Sequence, residues 1–189
     1  PDFVKPELAD LIRRADMLLL MIDLQAYPLQ QLEEALIILQ DHRIVPTQQG
    51  ERHVERGVYY IPTMVVVNKV DEASMDEDME VLSELLSDEW PLIPISVSTG
   101  RGVDAFKESI FDRLNIMRIY SKPPGRDADL NAPFVMKRGG TVQEFAASVH
   151  MDFMEKLQSA RVWGTGVFDG QMVGRDHVLH DGDIVELRV

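Results

Sequence analysis

Cysteine is absent from the 189 residues, which excludes disulfides and thiolate metal sites and is compatible with a reducing compartment such as the cytoplasm. Long apolar runs are missing too. The longest, Met17 to Ile22, falls far short of the ~20 residues that a membrane-spanning helix needs. No basic-plus-apolar leader opens the chain, and Pro1 is not a translation start, so a fragment or processed product is expected. Neither an internal repeat nor a low-complexity tract is visible. What remains is ordinary globular chemistry, 45% hydrophobic and 27% charged, in a length that suits one large domain or two small ones.

The net charge of −13 is unevenly spread. Residues 1–115 hold 22 acids and 10 bases, whereas residues 116–189 hold 10 acids and 9 bases. The front part therefore repels phosphate backbones, while the nearly neutral back part leaves room for a local basic patch.

The hydrophobic pattern divides at the same place. Residues 1–115 alternate buried-strand runs with amphipathic helices, the pattern of a parallel α/β sheet. Met17–Leu24 reads as a strand covered on both faces. Pro28 opens a helix with Leu29, Leu32, Leu36 and Leu39 on one side. Gln48–Tyr60 is polar and unpatterned and reads as a loop. Met64–Val67 is the second strand and Leu92–Val97 the third. Between them, Ser74 and Glu77 carry a capping-box signature for a helix through Leu86. A last helix follows Gly102, with Val103, Phe106, Ile110 and Leu114 on its stripe.

Residues 116–189 have a different order. Two short strands, Met117–Ser121 and Phe134–Lys137, are joined through the turn-rich stretch Lys122 to Pro133. Thr141 and Glu144 form a second capping box, opening a helix with Val142, Phe145, Val149, Phe153 and Leu157. Short strands and glycine turns close the chain. Strand–strand–helix–strands is an α+β order that suggests a β-grasp roll.

The chemistry concentrates in two loops. Asn68-Lys69-Val70-Asp71 directly follows the strand Met64–Val67, at the end of a parallel strand where α/β sheets bind ligands. Ser96-Val97-Ser98-Thr99-Gly100 ends the next strand 28 residues later. Neighbouring parallel strands present both loops on one sheet edge. The plainer reading makes each a polar strand-to-helix turn; the pair in this order is what is specific. His177 and His180, with Asp176 and Asp181, are spaced too loosely for a metal site and read as a solvated turn. The acidic run Asp71 to Glu80 reads as a helix N-terminus favoured by its dipole.

The two loops resemble the fourth and fifth motifs of the translation-factor class of P-loop GTPases. Residues 116–189 resemble the TGS domain of the Obg-related, developmentally regulated (DRG-like) GTP-binding proteins. That resemblance is carried by Arg118-Ile119-Tyr120-Ser121-Lys122-Pro123-Pro124-Gly125, Thr141-Val142, Ala160-Arg161-Val162-Trp163-Gly164 and Val173-Gly174-Arg175-Asp176-His177-Val178-Leu179. It implies the C-terminal half of a Ras-like G domain over 1–115 and a β-grasp TGS domain over 116–189. It further implies guanine recognition: Asp71 accepts from the ring N–H and exocyclic amine, Asn68 holds the loop, and the Lys69 stem lies across the base. Ser96 braces Asp71, and backbone N–H groups near Val97 and Ser98 meet the guanine oxygen. The family more often has Ala at the place of Val97.

No G-x-x-x-x-G-K-S/T sequence is present, so the phosphate cradle and Mg²⁺-binding hydroxyl are missing. GTP or GDP is thus expected to meet this chain through the guanine base alone, with Mg²⁺ only in a full-length parent, and the chain alone is expected to be catalytically inactive. The resemblance implies RNA, ribosome or protein docking through the second domain, for which Arg118, Lys122, Arg126, Lys137 and Arg138 are the candidate contacts. A non-catalytic β-grasp adaptor that no longer binds nucleotide is the alternative. A ubiquitin-like carrier is disfavoured, since the chain ends Leu187-Arg188-Val189. The resemblance to a Ras-like sheet further implies that the apolar strand Met17–Leu24 would pair with a P-loop strand, which is not present, so a homodimer, or cover by the Gln48–Tyr60 loop, is expected.

Overall fold

The computed structural model describes residues 5–48, 55–86 and 90–189. It divides into two units, Pro1–Leu114 and Asn115–Val189.

In the first unit, helix α1 (Pro6–Arg13) has proline in its first turn, where the missing N–H costs nothing. Strand β1 (Leu18–Asp23) follows, then α2 (Pro28–Asp41), β2 (Ile44–Thr47) and the long β3 (Tyr59–Asn68). A 3₁₀ turn (Ala73–Met75) leads into α3 (Asp76–Leu86), and β4 (Leu92–Pro94) and α4 (Val103–Leu114) complete the unit. All strand pairings are parallel and all involve β3. β1 and β4 both pair with Val65–Val67 and so lie on opposite edges of it. Met64 to Val67 are fully buried, as a central strand covered on both faces requires. The register sets Asp23 beside Asn68, so β1 and β3 end level and their following loops are neighbours.

Five expectations need correction here. The second strand begins at Tyr59 rather than Met64, because Tyr59–Pro62 pairs with β2, itself unread behind Pro46. The tyrosines at the end of the expected loop thus belong to the sheet, and residues 49–54 lie outside the described residues. The third strand stops at Pro94; Ile95 N–H still reaches Val67 O at 2.8 Å, but Ser96 then turns the chain away. Ser74 forms no capping box: its hydroxyl meets Glu72 at 3.4 Å, and α3 starts only at Asp76. Leu29, expected in the α2 core stripe, is 44% exposed, whereas Leu32 and Leu39 are buried.

The second unit runs β5 (Ile116–Ser121), β6 (Phe134–Lys137), α5 (Val142–Val149), α6 (Met151–Lys156), β7 (Ser159–Trp163), β8 (Gln171–Val173) and β9 (Ile184–Arg188). Its sheet has the order β6-β5-β9-β7-β8, with β5 and β9 parallel and the other pairs antiparallel. This is the β-grasp arrangement. Phe145 of α5 is fully buried among Met117, Ile119, Leu157, Val162 and Val185, and meets Phe134 edge to face at 5.4 Å.

The capping box on α5 forms as the residues dictate: Glu144 Oε2 accepts from Thr141 N at 2.8 Å, and Thr141 Oγ1 accepts from Glu144 N at 3.4 Å. The expected single helix is nevertheless two. His150 takes an extended backbone, and its Nδ1 accepts from Asp152 N at 3.2 Å, capping α6 in the manner of an Asn or Asp. Leu157 lies beyond α6 and is still fully buried. Fully buried Asp183 accepts from Thr165 N at 3.1 Å and His180 N at 2.8 Å. A Cβ on Gly164 would overlap that carboxylate, so only glycine fits there.

Candidate functional site

The two loops meet at the C-terminal edge of the sheet. Lys69 has φ +66°, the left-handed conformation that lets the chain turn immediately after β3. Val70 N–H then donates to Ile95 O at 3.1 Å, joining the two loops through the backbone. Val97 N–H donates to Asn68 Oδ1 at 3.2 Å, a side-chain tie between the same loops.

Asp71 is the focus. Its Oδ1 accepts from Ser96 Oγ at 2.5 Å and from Ser98 Oγ at 2.9 Å. Ser96 is fully buried and its hydroxyl also accepts from Thr99 N at 3.1 Å, which fixes the rotamer. The two hydroxyls, with a smaller contribution from Gln25 and Lys69, hold the Asp71 carboxyl below the ordinary aspartate range. Lys69 Nζ is paired with Asp23 Oδ2 at 2.5 Å, and each partner favours the charged form of the other. Of the loop residues expected to act together, Asn68, Lys69, Asp71, Ser96, Val97 and Ser98 all gather here. Val97 is 65% exposed, while its backbone N–H is taken up by Asn68.

Three further residues build the site, and no motif announces them. Gln25, two residues past β1, donates from Nε2 to Lys69 O at 3.1 Å and points toward Asp71 Oδ2 at 3.5 Å. Asp23 accepts from Gln25 N at 2.9 Å, which shapes that turn. Arg101 donates to Glu72 O at 2.9 Å and grips Asp76 through two bonds of 2.7 and 2.9 Å, clamping the second loop to the stretch after the first. The available signal is positional: polar residues at the C-terminal ends of parallel strands.

The five basic residues of the second unit are distributed differently. Arg118 is held by Asp181 through its backbone N–H and its guanidinium, with Nη2 at 2.7 Å from Oδ2. Lys122 lies 3.4 Å from Glu186 and over the Trp163 ring at 5.2 Å. Arg118 and Lys137 share the outer face of the β5–β6 pair, whereas Arg126 and Arg138 lie in turns, with Arg138 Nε donating to Ile116 O at 3.1 Å. The outer face of this sheet thus carries Arg118, Tyr120, Lys137, Arg161 and Trp163, with Arg118 held by Asp181 and Lys122 beside Glu186. Among the described residues no three His, Asp or Glu side chains converge as a metal site, and no helix is long and apolar enough to cross a membrane.

Known proteins place these features in context. An uncharacterized GTP-binding protein of Methanocaldococcus jannaschii is 38% identical over 129 residues, covering 68% of this chain and 33% of its own length. Developmentally-regulated GTP-binding protein 1 of Xenopus laevis is 34% identical over 136 residues, covering 71% of this chain and 36% of that protein. The chain is a homologue of the DRG-like GTP-binding proteins. The TGS domain family matches residues 117–189; the aligned stretches are longer than this, so the DRG-like relationship reaches into the first unit. Ribosome-interacting GTPase 1 of Saccharomyces cerevisiae is 32% identical, covering 68% of this chain and 34% of its own length. The chain spans about a third of the length of these curated relatives.

Two solved structures share the fold. A GTP-binding protein from Pyrococcus horikoshii superposes with TM-score 0.54 at 24% identity, over 70% of this chain and 47% of its own. The Schizosaccharomyces pombe YchF GTPase gives 0.65 at 10% identity, over 97% and 75%.

Proposed function

We propose that the first unit of this DRG-like chain recognises the guanine base of GTP or GDP, and that its TGS domain docks RNA or the ribosome. One observation carries the first half: Ser96 and Ser98 both donate to the same oxygen of Asp71. That arrangement fixes the carboxylate plane and leaves Oδ2 facing only the long 3.5 Å approach of Gln25 among the described residues. A base edge with two adjacent N–H donors complements such a carboxylate. Guanine has that edge; adenine presents a lone pair there. Paired readout of this kind discriminates by about 1–3 kcal/mol.

Asn68 holds the loops together through the Val97 N–H, which leaves the Ser98 backbone N–H as the candidate donor to the guanine oxygen. Lys69 is held by Asp23, and its alkyl stem is the candidate cover for one face of the base. The test is a titration of the chain with GDP and with ADP, read at the amides of residues 69–71 and 97–98. Saturable shifts with GDP alone support the reading. Equal shifts with both, or none with either, overturn it and favour the non-binding adaptor. Asp71→Asn replaces an acceptor with a donor and should transfer the preference toward xanthosine diphosphate.

The docking half rests on the outer sheet face, where Tyr120 and Trp163 lie among Arg118, Lys122, Lys137 and Arg161, with Arg126 and Arg138 in the adjoining turns. Aromatic and basic groups together suit single-stranded RNA. The name of the yeast relative agrees with this direction. RNA binding should weaken with rising salt and with alanine at Lys137 and Arg126. Binding indifferent to both would point to a protein partner.

A further inference from the structure

A groove of about 640 Å³ runs between the N-terminal part of α2 and the outer face of α3, and no motif reading assigns it a role. Its walls are Leu24, Tyr27, Leu29, Val81, Leu82 and Leu85. Leu29 is shared with an adjoining hollow of about 250 Å³ that ends at Leu86 and Trp90. The apolar lining is strongly exposed: Tyr27 by 82%, Leu85 by 64%, Val81 by 57% and Ile37 by 52%. Core packing does not ask for these side chains at these positions, since Leu32, Leu39 and Leu82 already face inward. A contiguous exposed apolar patch with a polar rim is the signature of an interaction surface.

The rim decides the partner. α2 and α3 contain Glu33, Glu34, Asp41, Asp76, Glu77, Asp78, Glu80 and Glu84, and neither helix contains a lysine or arginine. Asp76 is neutralised by Arg101; Asp78 and Glu33 sit in the lining itself. Trp90 Nε1 is buried without a hydrogen-bond partner among the described residues, at the far end of the same trough. A second copy of this face brings acid against acid and is disfavoured by charge, as is any acidic segment. Nucleic acid is repelled for the same reason.

We infer that the α2–α3 groove is a docking site for a basic amphipathic helix of a partner protein. Its apolar stripe would lie on Leu29, Val81 and Leu85, with its lysines and arginines over the acidic rim. Helix-in-groove recognition uses apolar anchors at i, i+3, i+4 and i+7, which suits a trough walled by two helices. The charges would set orientation and association rate, and the apolar anchors most of the affinity.

The experiment uses the full 189-residue chain and three synthetic peptides of equal length. One is an amphipathic Leu/Lys helix, one its Leu/Glu counterpart, and one a scrambled Leu/Lys sequence of equal charge without an apolar stripe. Anisotropy of labelled peptide gives the affinity, and amide shifts give the footprint. The proposal expects saturable binding of the first peptide alone, with a footprint on α2 and α3. Val81→Lys with Leu85→Lys, both at exposed positions, should weaken it by at least about tenfold. Equal binding of the scrambled peptide would reduce the effect to bulk charge and overturn it. So would a footprint elsewhere, or binding indifferent to the double substitution. A dimer in sedimentation that dissociates on Leu85→Lys would show a second copy there instead, with the same consequence. None of these readouts requires guanine binding.

Discussion

Two neighbours that do not ionise near neutral pH favour the charged form of Asp71 further. The hydroxyls of Ser96 and Ser98 stabilise only the anion, so the folded value lies below the unfolded one. The loop stabilisation that follows is complete above about pH 4, the unfolded aspartate value, and is lost as the pH falls through the lower folded value. Base recognition by Asp71 is therefore expected to be independent of pH across the neutral range. A carboxyl carbon-13 titration should place Asp71 below an aspartate in a short peptide, and Ser96→Ala should raise it. An unchanged midpoint after that substitution would show that the 2.5 Å bond contributes nothing to the charge. Most of this site is legible in sequence because its residues are consecutive in two loops. Asp23, Gln25 and Arg101 are not, because their partners in the first loop and the stretch after it are distant in sequence, and only the register of β1 on β3, or the turn after β4, brings them near.

At the scale of elements, Gly102 fixes how α4 leaves the second loop. It has φ +72°, and a Cβ there would collide with the Pro94 carbonyl. Gly102→Ala should destabilise the first unit by about 1–3 kcal/mol, from left-handed strain and backbone displacement together; a melt unchanged from the parent would refute it. The open edge of β1 makes a second prediction. Among the described residues β1 pairs only with β3, and Met21 is 56% exposed. Light scattering at high concentration should exceed the monomer mass, and Met21→Lys should restore it. The strands and helices with strong periodicity are readable in advance. β2 is not, since it is four residues long and contains Pro46. The break at His150 is equally silent, because neither glycine nor proline marks it and histidine is not an ordinary cap. Ser74 shows the opposite failure: its spacing to Glu77 is right, but it sits inside a 3₁₀ turn and not at the start of α3.

For the molecule as a whole, each unit carries its own core. The second, from Asn115 onward, should therefore fold alone, with a single cooperative melt and native-like dispersion of its amide signals. A molten spectrum would tie its stability to the first unit. The 189-residue chain itself should turn over no GTP, because it has no G-x-x-x-x-G-K-S/T loop to position phosphate. Turnover above background that disappears with Asp71→Ala would contradict this.

Gln25 occupies two places at once: it lines the α2–α3 groove, and its amide reaches Lys69 O and toward Asp71. A body pressed into the groove and a base seated on Asp71 would therefore compete for, or cooperate through, the same carboxamide. Thermodynamic linkage then leaves no freedom in the bookkeeping. Whatever factor a saturating groove peptide imposes on the dissociation constant of GDP, saturating GDP must impose on the peptide, and Gln25→Ala should bring both factors toward one.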